Sequence, residues 1–163
     1  MATKEISFQI ISATISNELC DKYYLQSGDS LMQYRFQPRV VIQNTRLPGF
    51  CENVLGDGNC LYRSVCLAIA GSDQSYMQLK QQTAFELHIN RSNLVHIPEA
   101  NIDSLIKSAK RQGVYGEVRH LIALSVALKI KIYLFNRSRR PPQWETIIAV
   151  LKPECHPIQV LMA

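Results

Sequence analysis

Gly56-Asp57-Gly58-Asn59-Cys60-Leu61-Tyr62-Arg63, followed by the apolar run Ser64-Val65-Cys66-Leu67-Ala68-Ile69-Ala70, decides how this chain is read. Glycine on both sides of Asp57 permits a tight bend in which backbone amides turn inward. Beyond the bend, Leu61, Val65 and Ala68 share one helical face and Tyr62, Cys66 and Ile69 the next, which predicts a buried helix. Cys60 falls where the bend enters that helix. The unpaired amides and the dipole of a helix N-terminus favour a thiolate, so Cys60 is a candidate nucleophile. A cysteine beside a helix is also a common small core residue, and Asp57 between two glycines a common turn former. The residues alone leave both readings open.

Working outward, the 163 residues suit one domain with a single core. Hydrophobic residues make up 47% and charged residues 19%, the balance of a globular chain and not of a disordered one. The apolar runs are far short of a membrane span, and Met-Ala-Thr-Lys-Glu at the start has no signal-peptide character, so no membrane role is expected. The five cysteines, Cys20, Cys51, Cys60, Cys66 and Cys155, are an odd number without a CxxC pair. That argues against a disulfide framework or zinc knuckle and for a reducing compartment, the cytoplasm or nucleus. Net charge is +5, with one dense cluster at Arg137-Ser138-Arg139-Arg140 before Pro141-Pro142. No aromatic platform or nucleic-acid motif accompanies the cluster, so it reads as a solvated turn before it reads as a nucleic-acid or acidic-partner site.

Periodicity predicts the remaining elements. Ile6, Phe8 and Ile10 alternate as a short strand, residues 17–25 suit one or two helical turns, and Val40-Val41-Ile42 suits a strand before the Leu47-Pro48-Gly49 bend. Ser75 is placed to cap a helix with Tyr76, Leu79, Thr83 and Leu87 on one face. Asn101 is placed to cap the next, with Ile102, Leu105, Ile106 and Ala109 as its stripe and Gly113 as its stop. Glu117, Leu121, Leu124 and Leu128 mark a further helix. Ile130-Ile132-Leu134, residues 144–151, and Ile158-Val160-Met162 read as strands. Helices first and strands late give an α+β class, a small sheet flanked by helices.

Asp57-Gly58-Asn59-Cys60-Leu61-Tyr62-Arg63 resembles the nucleophile motif of the OTU (ovarian tumour) family of cysteine proteases, in which Phe or Tyr follows the Leu. The second half is similar as well. Tyr115-Gly116 stands where the family carries Trp-Gly, and Leu121-Ile122-Ala123-Leu124-Ser125 and Ile130-Lys131-Ile132-Tyr133 follow in register. Tyr115 for Trp, and His120 where an acid is frequent, depart from the pattern. The resemblance implies an OTU-like domain over residues 47–163, with 1–46 as an N-terminal extension of unassigned role. It implies hydrolysis of the isopeptide or peptide bond after the C-terminal glycine of ubiquitin or a ubiquitin-like protein, with no metal or organic cofactor. Cys60 is then the nucleophile, and Asp57 shapes a loop whose amides, that of Cys60 among them, receive the oxyanion.

A thiol protease also needs a proton acceptor. In the family it follows the last core strand in a His-aromatic-Asp/Asn setting. Of the four histidines, His88 reads as a helix-surface residue, His96 as a loop residue, and His120 as part of the helix behind the site. Only His156 lies in the matching region, and there Pro157 replaces the aromatic and Ile158 the orienting group. A second alignment makes 157–162 the strand that precedes the base, which then lies beyond Ala163. The competing expectation is therefore an OTU-like module that binds ubiquitin or another protein without turnover.

Overall fold

The computed structural model describes residues 4–8, 10–30, 40–43, 54–94, 97–136, 140, 143–147 and 159–162. Several sequence expectations lie outside them: the base candidate His156, His96, the bend at 47–49, Cys51, Cys155, Arg137, Arg139, Ile158 and the end of the 144–151 strand.

The alternating Ile6 and Phe8 belong to strand β1 (Glu5–Phe8), which pairs antiparallel with β2 (Val40–Gln43), Ile6 opposite Ile42. Helix α1 spans Ala13–Tyr23 and so starts four residues before the expected 17–25 segment. Ser12 is the reason: its backbone is extended and its hydroxyl accepts the Ile15 amide at 3.2 Å, an N-cap that suffices to start a helix through Thr14 and Ile15.

Helix α2 (Cys60–Ala70) is the buried helix predicted from the opening stretch. Helices α3 (Tyr76–Ile89), α4 (Ile102–Lys110) and α5 (Val118–Leu128) follow. The last strands are β3 (Lys131–Asn136), β4 (Gln143–Ile147) and β5 (Gln159–Met162). Their sheet has the order β4-β3-β5, antiparallel on the β4 side and parallel on the β5 side, where Ile132 faces Val160. The fold is thus α+β. Ser75 does not cap α3. Its hydroxyl instead accepts the Gln26 amide at 2.8 Å, tying the chain after α1 to the α2–α3 connection.

The main core lies around α2. Tyr62, Val65, Cys66 and Ile69 pack against Leu79 of α3, Leu121, Leu124 and Leu128 of α5, and Ile130 and Ile132 at β3. Burying each large apolar side chain of this set stabilises the fold by about 1.5–3 kcal/mol before chain entropy is charged against it. Ile11, Leu19, Tyr23 and Leu25 belong to the same core, so α1, within the expected 1–46 extension, closes one side of it. Two long-range bonds fix that helix: Ser16 Oγ donates to Ile69 O at 2.6 Å and the Tyr23 hydroxyl to Ala127 O at 3.0 Å. A second cluster joins Leu87 and Leu94 to Ile102, Leu105 and Ala123. A third places Phe135 and Trp144 edge to face at 5.3 Å, with Ile6 against them.

Candidate active site

Cys60 is the first residue of α2 and is partly exposed as a free thiol. The bend before it is held from both directions. Asp57 turns its carboxylate forward, where Oδ1 accepts the Asn59 amide at 3.0 Å and Oδ2 accepts from Arg63 Nη2 at 2.8 Å. Arg63 lies about one turn into α2 and also spans to Asp73 at 3.6 Å and stacks 4.0 Å over the Tyr76 ring. The Arg63 hydrogen bonds hold the Asp57 carboxyl well below the usual carboxylate range. Asp57 therefore shapes the loop, as a turn former does. Its bond to the Asn59 amide also removes one of the expected oxyanion donors between residues 57 and 60.

A second restraint comes from the 111–113 turn. Gly58 has φ +85, and a Cβ there would overlap the carbonyl oxygen of Gly113, which is itself left-handed at φ +72. Only glycine permits this backbone approach. Asn59, 4% exposed, sends its Oδ1 to the Gly113 amide at 3.2 Å and to the ammonium of Lys80 at 2.9 Å. Lys80, on α3 and 1% exposed, also donates to Arg111 O at 2.7 Å and lies 5.1 Å from the Tyr62 ring centre. Burial pulls its pKa below the usual lysine value. Tyr115 and Leu55, both exposed, flank the bend, and the Tyr115 hydroxyl reaches Gly56 O at 3.4 Å.

The described histidines do not serve Cys60 as a base. His88 is exposed at the end of α3. His120 is 1% exposed; its Nδ1 accepts the Glu117 amide at 3.0 Å in a capping box, and its Nε2 lies 3.0 Å from Leu105 O. These partners make Nε2 the protonated nitrogen, and burial lowers the pKa, so the ring is neutral and engaged at both ends. Cys66 is no rival nucleophile, because burial pushes its thiol up to about 12. Among the described residues no group of three or more His, Cys, Asp or Glu is placed to hold a metal ion.

A family model described as OTU-like cysteine protease matches residues 55–162, from just before the bend to the end of β5. The chain belongs to this family. It is 27% identical over 103 residues to OTU domain-containing protein 1 of Mus musculus and to the protein of the same name in Homo sapiens. Each match covers 63% of this chain but only 23% and 21% of those proteins, so the chain corresponds to less than a quarter of their length. Among solved structures, the OTU domain of OTUD1 is similar with a TM-score of 0.55 at 24% identity, covering 68% of this chain and 75% of that one. This likeness gives the OTU fold.

Two site residues escaped the sequence. Arg63 was legible as the last letter of the motif, but its clamp on Asp57 crosses a bend and follows no periodicity. Lys80 sits beside the Tyr76-Leu79-Thr83-Leu87 stripe, and lysine by type is expected in water.

Proposed function

We propose that this OTU chain is a cysteine-type deubiquitinase, hydrolysing the isopeptide or peptide bond after the C-terminal glycine of ubiquitin or a ubiquitin-like protein. The observation that carries the reading is the position of Cys60. It is a partly exposed thiol on the first residue of a helix that has no side-chain cap, in a loop fixed on both sides. The thiolate attacks the glycine carbonyl carbon, and the oxyanion that forms is met by amides at the start of α2. Collapse breaks the C–N bond, the departing amine takes a proton from the histidine base, and a thioester remains. Water, deprotonated by the same base, releases the ubiquitin carboxylate and restores the thiol. His156 is the residue we assign to the base. A reducing compartment, cytoplasm or nucleus, fits a free catalytic thiol.

The test is labelling by a ubiquitin probe with a C-terminal electrophile. Wild type is expected to form the adduct, Cys60→Ala none, and His156→Ala to slow it by a factor of about 100 or more. Wild-type labelling no greater than that of Cys60→Ala overturns the reading, and ubiquitin binding without labelling replaces it with a non-catalytic binding module. Unimpaired His156→Ala removes His156 as the base.

A further inference from the structure

Ser12, Asn59, Ser75 and Asn101 stand at the N-caps of α1, α2, α3 and α4 with side chains chemically suited to capping, and of these only Ser12 makes a cap bond. At α1, Ser12 has φ −72 and ψ 160, and its hydroxyl holds the Ile15 amide. At α2, Asn59 has φ −104 and ψ 6, outside the extended conformation that capping requires, and makes no cap bond. Its Oδ1 is occupied by Lys80 and Gly113 instead.

The ammonium that does this is expensive to keep. A lysine 1% exposed has given up its hydration for two oxygens and the face of Tyr62. A hydrophobic residue of the same length would fill that space at no such cost. What the charge supplies is a fixed Asn59. The residue before the nucleophile is pinned to α3 and to the 111–113 turn, and its carboxamide caps none of the first amides of α2 beside Cys60.

We propose that Lys80 is a positioning residue for Cys60: by holding the Asn59 carboxamide away from the helix end, it keeps the positive terminus of α2 open to the thiolate and to the oxyanion. The proposal rests on Cys60 being the nucleophile. Without Lys80, Asn59 is released toward the extended capping conformation, where it takes one of those amides and draws the loop with it.

The experiment measures alkylation of Cys60 by iodoacetamide at fixed neutral pH, mapped by peptide mass, alongside kcat and KM on a ubiquitin–fluorophore conjugate. In Lys80→Met, alkylation is expected to slow about three- to tenfold, the size of a helix-terminus effect, with thermal stability kept or raised. The loss should fall on kcat and not on KM, and Lys80→Arg should recover most of it. A second pair does not touch Lys80. Asn59→Ser installs a good cap too short to reach the ammonium and should react more slowly than Asn59→Ala, which leaves the helix end open. Folded Lys80→Met reacting at the wild-type rate, or Asn59→Ser reacting as fast as Asn59→Ala, overturns the proposal. If wild type alkylates at Cys60 yet turns over no ubiquitin, the functional reading fails while the alkylation series still decides the role of Lys80.

Discussion

The guanidinium of Arg63 and the carboxylate of Asp57 meet through two prongs, Nη2 to Oδ2 at 2.8 Å and Nε to Oδ2 at 3.2 Å, across the bend that delivers Cys60. Geometry of this kind distinguishes a planar fork from a point charge. Arg63→Lys is therefore expected to behave much like Arg63→Met in ubiquitin-probe labelling, each slower by about tenfold or more, since a small displacement of a nucleophile is costly. Both ends of the pair are partly open to water, so thermal midpoints should move by no more than about 4 °C. Labelling rates and melting curves of the two variants check this. Wild-type labelling by Arg63→Lys would show that charge alone suffices.

Glycines that look equivalent in the sequence differ in the structure. Gly58→Ala must place a Cβ on the Gly113 carbonyl in a left-handed conformation, and the bend cannot keep its shape. Gly116→Ala meets the Leu61 side chain, most tightly its Cδ1 at 3.0 Å, a methyl that can turn aside, with Cβ and Cδ2 at 3.4 Å, and at Gly56 a Cβ has nothing within 4 Å among the described residues. The expected order of thermal stability is wild type and Gly56→Ala together, Gly116→Ala slightly lower, and Gly58→Ala far below. Differential scanning calorimetry of the three variants tests the order.

His120 predicts a pH dependence whose sign can be worked out. Burial depresses its pKa in the folded chain. As pH falls through the ordinary histidine range, the unfolded chain therefore takes up a proton that the folded chain refuses, and stability declines by at most about 1.4 kcal/mol per pH unit. Glu86, whose pKa is raised by burial, acts in the opposite direction at lower pH, so the comparison must be with a variant. His120→Gln keeps an N3 side chain able to reach the Glu117 amide. Urea unfolding between pH 7.5 and 5.5 should show a shallower decline for the variant than for wild type.

Thiol reactivity separates the two cysteines of α2. Cys66 should resist iodoacetamide at neutral pH until the chain is unfolded, because it is buried and its thiol is pushed up to about 12. Cys60 should react in the native state. Mass mapping with and without denaturant reads both sites in one experiment.

The tyrosine between them offers a stability test. The Tyr62 hydroxyl is buried and makes no hydrogen bond among the described residues. Tyr62→Phe removes an unpaired polar group while keeping the ring face turned to Lys80, and should raise stability by up to about 1 kcal/mol. A destabilised variant in the same urea titration would mean that the hydroxyl has a partner in solution.

What the sequence disclosed, it disclosed through local pattern. The run from Leu61 to Ala70 announces α2 because its apolar spacing repeats within one element and Gly71 stops it. The stripe of Ile102, Leu105 and Ala109 announces α4 for the same reason. The same logic misplaces Ser75, whose composition suits a cap but whose hydroxyl is taken by Gln26, more than 40 residues away. Asn59 is the same case nearer the chemistry. A side chain with two eligible partners goes to the one tertiary packing brings near, and no window of neighbouring residues contains that information. Asp57 and Cys60 were legible because they lie in a single turn, whereas Lys80 and the 111–113 turn enter the site only once α3 and α5 have packed.

The bond from the Tyr23 hydroxyl to Ala127 O joins residues 104 positions apart. Contacts of that span are slow to form, since a long loop must close before any of them repays its entropy. Helices α3, α4 and α5 are near neighbours in the chain and have no such wait. Helix α1, which comes before the other described helices in the chain, is thus among the latest to dock, and until it does one flank of α2 stands open. Order of assembly, and not only final geometry, then governs when Cys60 first rests on a rigid helix.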